Sequence, residues 1–84
     1  MEWDIEIDAR DLMCPLPVLR LQQCLRDVTC GQIVRLLATD PVAEIDIPHF
    51  CAETGHTMLG ATTLNGMTVY FIQKAGEEPA ATAF

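Results

Sequence analysis

Basic residues are scarce in this chain: 5 Lys and Arg stand against 12 Asp and Glu, a formal charge of −7 at pH 7. That balance argues against a nucleic-acid surface of its own, because such surfaces need clustered positive charge, so no direct nucleic-acid contact is expected. No stretch approaches the ~18 consecutive apolar residues of a membrane span, and no membrane partner is expected. The first residues carry Glu2, Asp4, Glu6 and Asp8 without an apolar run, so they do not read as a secretory signal. Four cysteines without an export signal point to reduced thiols and a cytoplasmic protein. Also missing are a Cys-x-x-Cys pair, a Gly-rich phosphate loop, a Ser/His/Asp set and any internal repeat. Neither a structural metal nor a cofactor is therefore expected, and a self-sufficient catalyst is disfavoured.

What the chain does have is enough core material for one small domain, since 50% of its 84 residues are hydrophobic. Trp3, Ile5 and Ile7 alternate with acids, the period-two pattern of a strand with one wet face. A helix is expected from about Pro15 to Val28 or Thr29, with Gly31 as its stop. Its stripe Val18, Leu21, Leu25 and Val28, bordered by Cys24, should pack on a sheet. Ile33 to Ala38 is a nearly continuous apolar run and reads as a central strand. Asp40-Pro41 should open a turn or short helical piece, and Asp46 a second start. With Pro48 in its first turn, this region is expected as two pieces or a bent one. Ile47, Phe50, Cys51 and Thr54 keep one face inward, and Gly55 closes the helix. Thr57–Leu64 and Met67–Lys74 flank Asn65-Gly66, a strong hairpin signal. The expected fold is α/β, a two-layer βαβαββ sandwich with two helices on one face of a four-stranded mixed sheet. The domain should cover 1–74, with 75–84 a flexible tail.

The stretch that organises the chain is Asp11-Leu12-Met13-Cys14-Pro15-Leu16-Pro17. Proline tolerates a first helical turn, so Cys14 is expected at the cap position, among backbone N–H groups without helical partners. Those groups and the helix dipole favour the thiolate, so a lowered Cys14 pKa is expected. Arg10, Arg20 and Arg26 should make its surroundings less negative than the protein average. No base is evident beside it. Read from these residues alone, Cys14 is either an activated thiol or an inert buried one.

The same heptapeptide resembles the Cys-Pro-x-Pro signature of the TusA (SirA-like) sulfur-carrier family. Asp40-Pro41, Asp46-Ile47-Pro48, Phe50-Cys51 and Gly55-His56 continue the likeness, which runs from about Ile5 to Lys74. It implies the same βαβαββ fold and a persulfide carried on Cys14, with Pro15, Pro17 and Asp11 supporting the motif. Implied partners are a cysteine desulfurase or rhodanese-like sulfur donor and a downstream acceptor protein, in tRNA thiolation or in sulfur oxidation and trafficking. On this reading the chain is a sulfurtransferase-type carrier working by relay, not a complete catalyst. Many relatives carry lysines where Gln22 and Gln23 stand here, which bears on the donor and leaves the Cys14 assignment untouched. The alternative is a non-catalytic binding or redox-regulatory module on the same fold.

Leu16, Leu19, Gln23 and Arg26 fall opposite the core stripe of the first helix, flanked by Arg20. Two outward leucines beside a reactive cysteine form a patch, and Leu16, Leu19, Arg20 and Gln23 are the expected partner-binding residues. Cys24 is ten residues from Cys14 on one helix, about 15 Å, too far for a disulfide or shared metal. Cys51 shares the stripe of Ile47 and Phe50 and is read as a small core residue. His49 lies on another face, which argues against zinc at His49, Cys51 and His56, and Cys30 reads as incidental.

Overall fold

Strand β1 (Ile5–Ala9) turns Ile7 and Ala9 inward and Glu6 and Asp8 outward, as the alternation of its sequence requires. The computed structural model describes residues 2–75. β1 is an edge strand in a sheet of order β1-β2-β4-β3, paired on one side only. Ile5 and Trp3 are accordingly 41% and 43% exposed, short of the burial that the alternation suggests. Trp3 is instead held from the other face, under the Arg35 guanidinium at 4.4 Å and against the Phe71 ring at 5.9 Å.

β2 (Ile33–Ala38) lies inside the sheet, parallel to β1 and antiparallel to β4 (Met67–Gln73). Val34, Leu36 and Ala38 face the helices and are almost completely enclosed, while Leu37 is buried on the opposite face. This explains why the β2 sequence reads as a continuous apolar run. β3 (Thr57–Leu64) pairs antiparallel with β4 through the Asn65-Gly66 turn. Both turn residues have positive φ, 54° and 80°, the requirement that makes Asn-Gly the favoured pair for a two-residue hairpin.

A parallel pair cannot be joined by a tight turn, and the β1–β2 connection contains helix α1 (Leu16–Asp27). Helix α2 (Ala43–Thr54) follows β2 in the same sense. Each helix thus begins beyond the C-terminal end of a strand, and both N-termini lie at one edge of the sheet. Leu21 and Leu25 of α1 and Ala43, Ile47 and Cys51 of α2 are buried against Val34, Leu36, Tyr70 and Ile72. A fully enclosed leucine such as Leu21 contributes about 1.5–3 kcal/mol from burial. The architecture is the expected βαβαββ sandwich.

α2 departs from the two-piece reading of this region. It is one helix across Pro48, beginning at Ala43 and not at Asp46. Proline removes one intrahelical N–H, but the buried series Ala43, Ile47 and Cys51 continues across it at i, i+4, i+8, so tertiary packing holds the axis together. Gly55, at φ 85°, ends the helix in the left-handed conformation, its N–H bonded to the Cys51 carbonyl. At the other end of the domain, Ala75 is tied down by donating its N–H to His56 Nδ1 at 3.0 Å. The rest of the expected tail, 76–84, lies outside the described residues.

Candidate functional site at the shared helix edge

The linker from β1 to α1 is fixed one bond at a time. Arg10 folds back on Asp8, with Nε–Oδ1 and Nη2–Oδ2 both at 2.9 Å, and this pair holds the Asp8 carboxyl down at about 2. Its guanidinium is therefore engaged by Asp8 and not directed at Cys14. Asp11 adopts φ 67°, which its short polar side chain tolerates, and its N–H donates to Thr39 Oγ1 at 2.9 Å. This ties the linker to the end of β2.

Cys14 follows at the edge where both helices start. Its backbone N–H donates to Asp40 Oδ2 at 2.6 Å, and Asp40 Oδ1 accepts the Val42 N–H at 3.1 Å. One carboxylate thereby joins the approach to α1 to the approach to α2. The Cys14–Pro15 peptide is cis, and Pro15 occupies the cap position, with Leu16 the first helical residue. Cys14 is thus one residue farther from the helix than expected. Pro17 sits in the first turn and is buried, so the second proline of the motif anchors α1 in the core.

The Cys14 Sγ–H donates to Asp46 Oδ2 at 3.0 Å. This hydrogen bond, then partial shielding from solvent, then the charges of Asp46 and Asp40, push the thiol above its ordinary value. The lowered pKa expected from the helix N-terminus is therefore corrected in direction. The helix-end charge is only about +0.5 and lies a residue away, whereas a full negative charge touches the sulfur. The expected less-negative surroundings are corrected for the same reason, and a carboxylate does stand beside the thiol. Cys14 itself is exposed, and all four cysteines are free.

The thiol opens on a cavity of about 330 Å³ between the helices, with Cys14, Pro15 and Val18 on one wall and Asp46, His49, Phe50 and Glu53 on the other. His49 Nε2 lies 3.3 Å from Glu53 Oε2. A second cavity of about 270 Å³ lies beyond Phe50, lined by Gln22, Leu25, Arg26, Phe50, Thr54, His56 and Lys74. Leu16 and Leu19 are 46% and 44% exposed, and Arg20 and Gln23 are exposed with them, on the outer surface of α1. None of these four lines the Cys14 cavity. The sequence reading assigns none of Asp46, His49, Phe50 and Glu53 to the site, because it expects Pro48 to split or bend this region. Their spacing, i, i+3, i+4, i+7, is one stripe of an unbroken helix.

Comparison with known proteins adds sequence likeness to this geometry. The family model described as Sulfurtransferase TusA matches residues 5–74. The Sulfur carrier protein TusA of Pseudomonas syringae pv. syringae (strain B728a) is 39% identical over 74 residues, spanning 88% of both chains. That of Pseudomonas entomophila (strain L48) is 38% identical over 74 residues, 88% of this chain and 92% of the relative. The crystal structure of the SirA-like protein from Desulfitobacterium hafniense superposes with a TM-score of 0.76 at 23% identity, covering 86% of this chain and 99% of that one. At that identity it supports the fold alone.

Proposed function

This chain belongs to the TusA (SirA-like) sulfur-carrier family, and from that premise we propose that it relays a persulfide on Cys14 between a donor protein and an acceptor protein. The observation that carries the reading is a free, exposed thiol on the rim of a cavity at the joint N-terminal edge of two helices. The orphan N–H groups and dipoles of both helices favour an anionic sulfur at the moment of transfer.

The exchange follows thiol–disulfide chemistry. Cys14 gives up its Sγ proton, and the sulfur attacks the outer sulfur of the donor's persulfide. A new S–S bond forms on Cys14, the donor's own S–S bond breaks, and the donor leaves as a thiolate that takes up a proton. An acceptor thiolate then attacks the outer sulfur and regenerates Cys14 as its thiolate. One thiol and one persulfide are consumed and one of each is produced, so no oxidant or reductant enters. Asp40 anchors the Cys14 backbone, and Pro15 and Val18 wall the space beside its sulfur.

Upstream, the donor is a cysteine desulfurase or a rhodanese-like protein. Downstream, the sulfur goes to an acceptor of tRNA thiolation or of sulfur oxidation and trafficking. Leu16, Leu19, Arg20 and Gln23 form the docking patch, and free thiols of this kind persist in a reducing cytoplasm. Incubation with a cysteine desulfurase and cysteine should add one sulfur atom to Cys14, read by intact mass, and Cys14→Ser should stay unmodified. Equal loading of the Ser variant would overturn the assignment. Discharge of the loaded protein to an acceptor of one route and not the other would settle the pathway.

A further inference from the structure

Cys14 and Asp46 are 32 positions apart in the chain, and their hydrogen bond exists only because both helices start at one edge. We infer that Asp46 is a proton-holding and positioning residue for Cys14: its carboxylate accepts the Sγ–H, keeps the thiol neutral in the free protein and aims it along the α2 wall of the cavity. The inference depends on the geometry of the thiol and not on sulfur transfer, so it can be tested without a donor.

Two influences compete at this sulfur. The N-terminal ends of α1 and α2 favour a thiolate, but each carries only about half an elementary charge, shared among several N–H groups. Asp46 brings a full negative charge to 3.0 Å and an acceptor oriented at the proton. A thiolate there would lose the bond and face the carboxylate directly. The other groups around the thiol do not reverse this balance. Asp40, at the start of α2, and Glu53 on α2 are acids, and His49 is matched by Glu53 at 3.3 Å. From the α1 side only the uncharged Pro15 and Val18 line the cavity. The thiolate is the nucleophile and the form that oxidants attack, so an exposed cysteine held as a thiol is a resting one.

The test is alkylation of Cys14 by iodoacetamide as a function of pH, resolved by peptide mass so that Cys30, also exposed, serves as an internal reference. Asp46→Asn should move the midpoint of Cys14 alkylation to lower pH. Below the midpoint, each unit of that shift gives about tenfold more thiolate, offset by about threefold weaker nucleophilicity, so alkylation should quicken roughly threefold per unit. Asp40→Asn should shift the midpoint less, since Asp40 holds the backbone N–H and not the sulfur. Glu53→Gln should leave it at the parent value, as should the Cys30 reference in every variant. Asp46→Ser removes the charge with a different side-chain geometry and serves if Asp46→Asn does not fold. A parent-like midpoint in a folded Asp46 variant would overturn the inference. So would an equal fall in Glu53→Gln, which would make the effect a property of the whole acidic wall.

Discussion

On one side of Phe50 a cavity of about 330 Å³ is walled by Cys14, Asp46 and Glu53, and on the other a cavity of about 270 Å³ is walled by Arg26, His56 and Lys74. Part of the difference follows from the direction of the helices. Both run the same way, so their N-termini meet at the Cys14 edge, where Glu44 and Asp46 stand in the first turn of α2, and their C-termini at the Lys74 edge, where Arg26 stands in the last turn of α1. At the C-terminal edge polar side chains complete the fold. Lys74 Nζ donates to the Val28 carbonyl at 2.8 Å, satisfying a backbone group just past α1, and His56 accepts the Ala75 N–H. At the N-terminal edge the acids take backbone donors in the same way, Asp40 from Cys14 and Val42, but a thiol has been placed among them. The shared helix direction thus gives a structural clasp at one end and a sulfur beside a carboxylate at the other.

If that division of labour holds, variants at the two edges should fail in different assays. The largest effect is expected on the outer surface of α1 near Cys14. Leu19→Ser should slow sulfur acceptance from the donor by well over tenfold, the equivalent of losing an apolar anchor of about 2 kcal/mol. Its melting temperature should stay near that of the parent, because Leu19 is already 44% exposed. Arg20→Glu should also slow transfer, with the deficit fading as salt is added, since a rim charge acts on the encounter rate. Parent-like transfer in both would remove this surface from the functional edge.

At the opposite edge, Lys74→Ala should do the reverse. Loss of a charged hydrogen bond to the Val28 carbonyl should cost about 1.5 kcal/mol, several degrees of melting temperature in a domain of this size. Sulfur loading of the folded variant should match the parent. Defective loading would show that the two edges are coupled.

Cys51→Ala probes the core between them. The thiol is 3% exposed, and burial pushes its pKa up, so it is an inert packing group. Stability should fall by about 1 kcal/mol with loading retained. Abolished loading in a folded variant would make Cys51 a second relay site.

The smallest effect concerns pH. Burial, with the nearby Lys74 charge, lowers the His56 pKa below 6.5. The folded state then holds fewer protons than the unfolded state between the lowered value and 6.5. Stability should therefore decline as pH falls through that window and level off below it. Protonation of Nδ1 would also cost the bond from Ala75. Thermal melts from about pH 8 to 5 should show a shallower decline in His56→Gln than in the parent. An identical decline would place the sensitivity elsewhere.

Much of this molecule is legible in its residues alone. Asn65-Gly66 specified a hairpin because few other pairs accept two positive φ values, and the apolar run Ile33–Ala38 specified an inner strand. Leu21 and Leu25 marked the buried side of α1, and Gly55 the end of α2. The continuity of α2 across Pro48 is not legible locally, because it rests on the packing of Ala43, Ile47 and Cys51 against the sheet.

The charge state of Cys14 was settled by different means. Local sequence places the thiol ahead of a helix, and local physics then favours a thiolate. The tertiary fold brings Asp40 and Asp46 to the same edge, because two successive strand-to-helix units point their helices the same way. A carboxylate 3.0 Å from the sulfur outweighs a fractional helix-end charge, so the thiol's pKa rises. The sequence determined which cysteine stands at the edge. Contact across 32 positions decided what that cysteine is, because electrostatic energy depends on distance in space and not on separation along the chain.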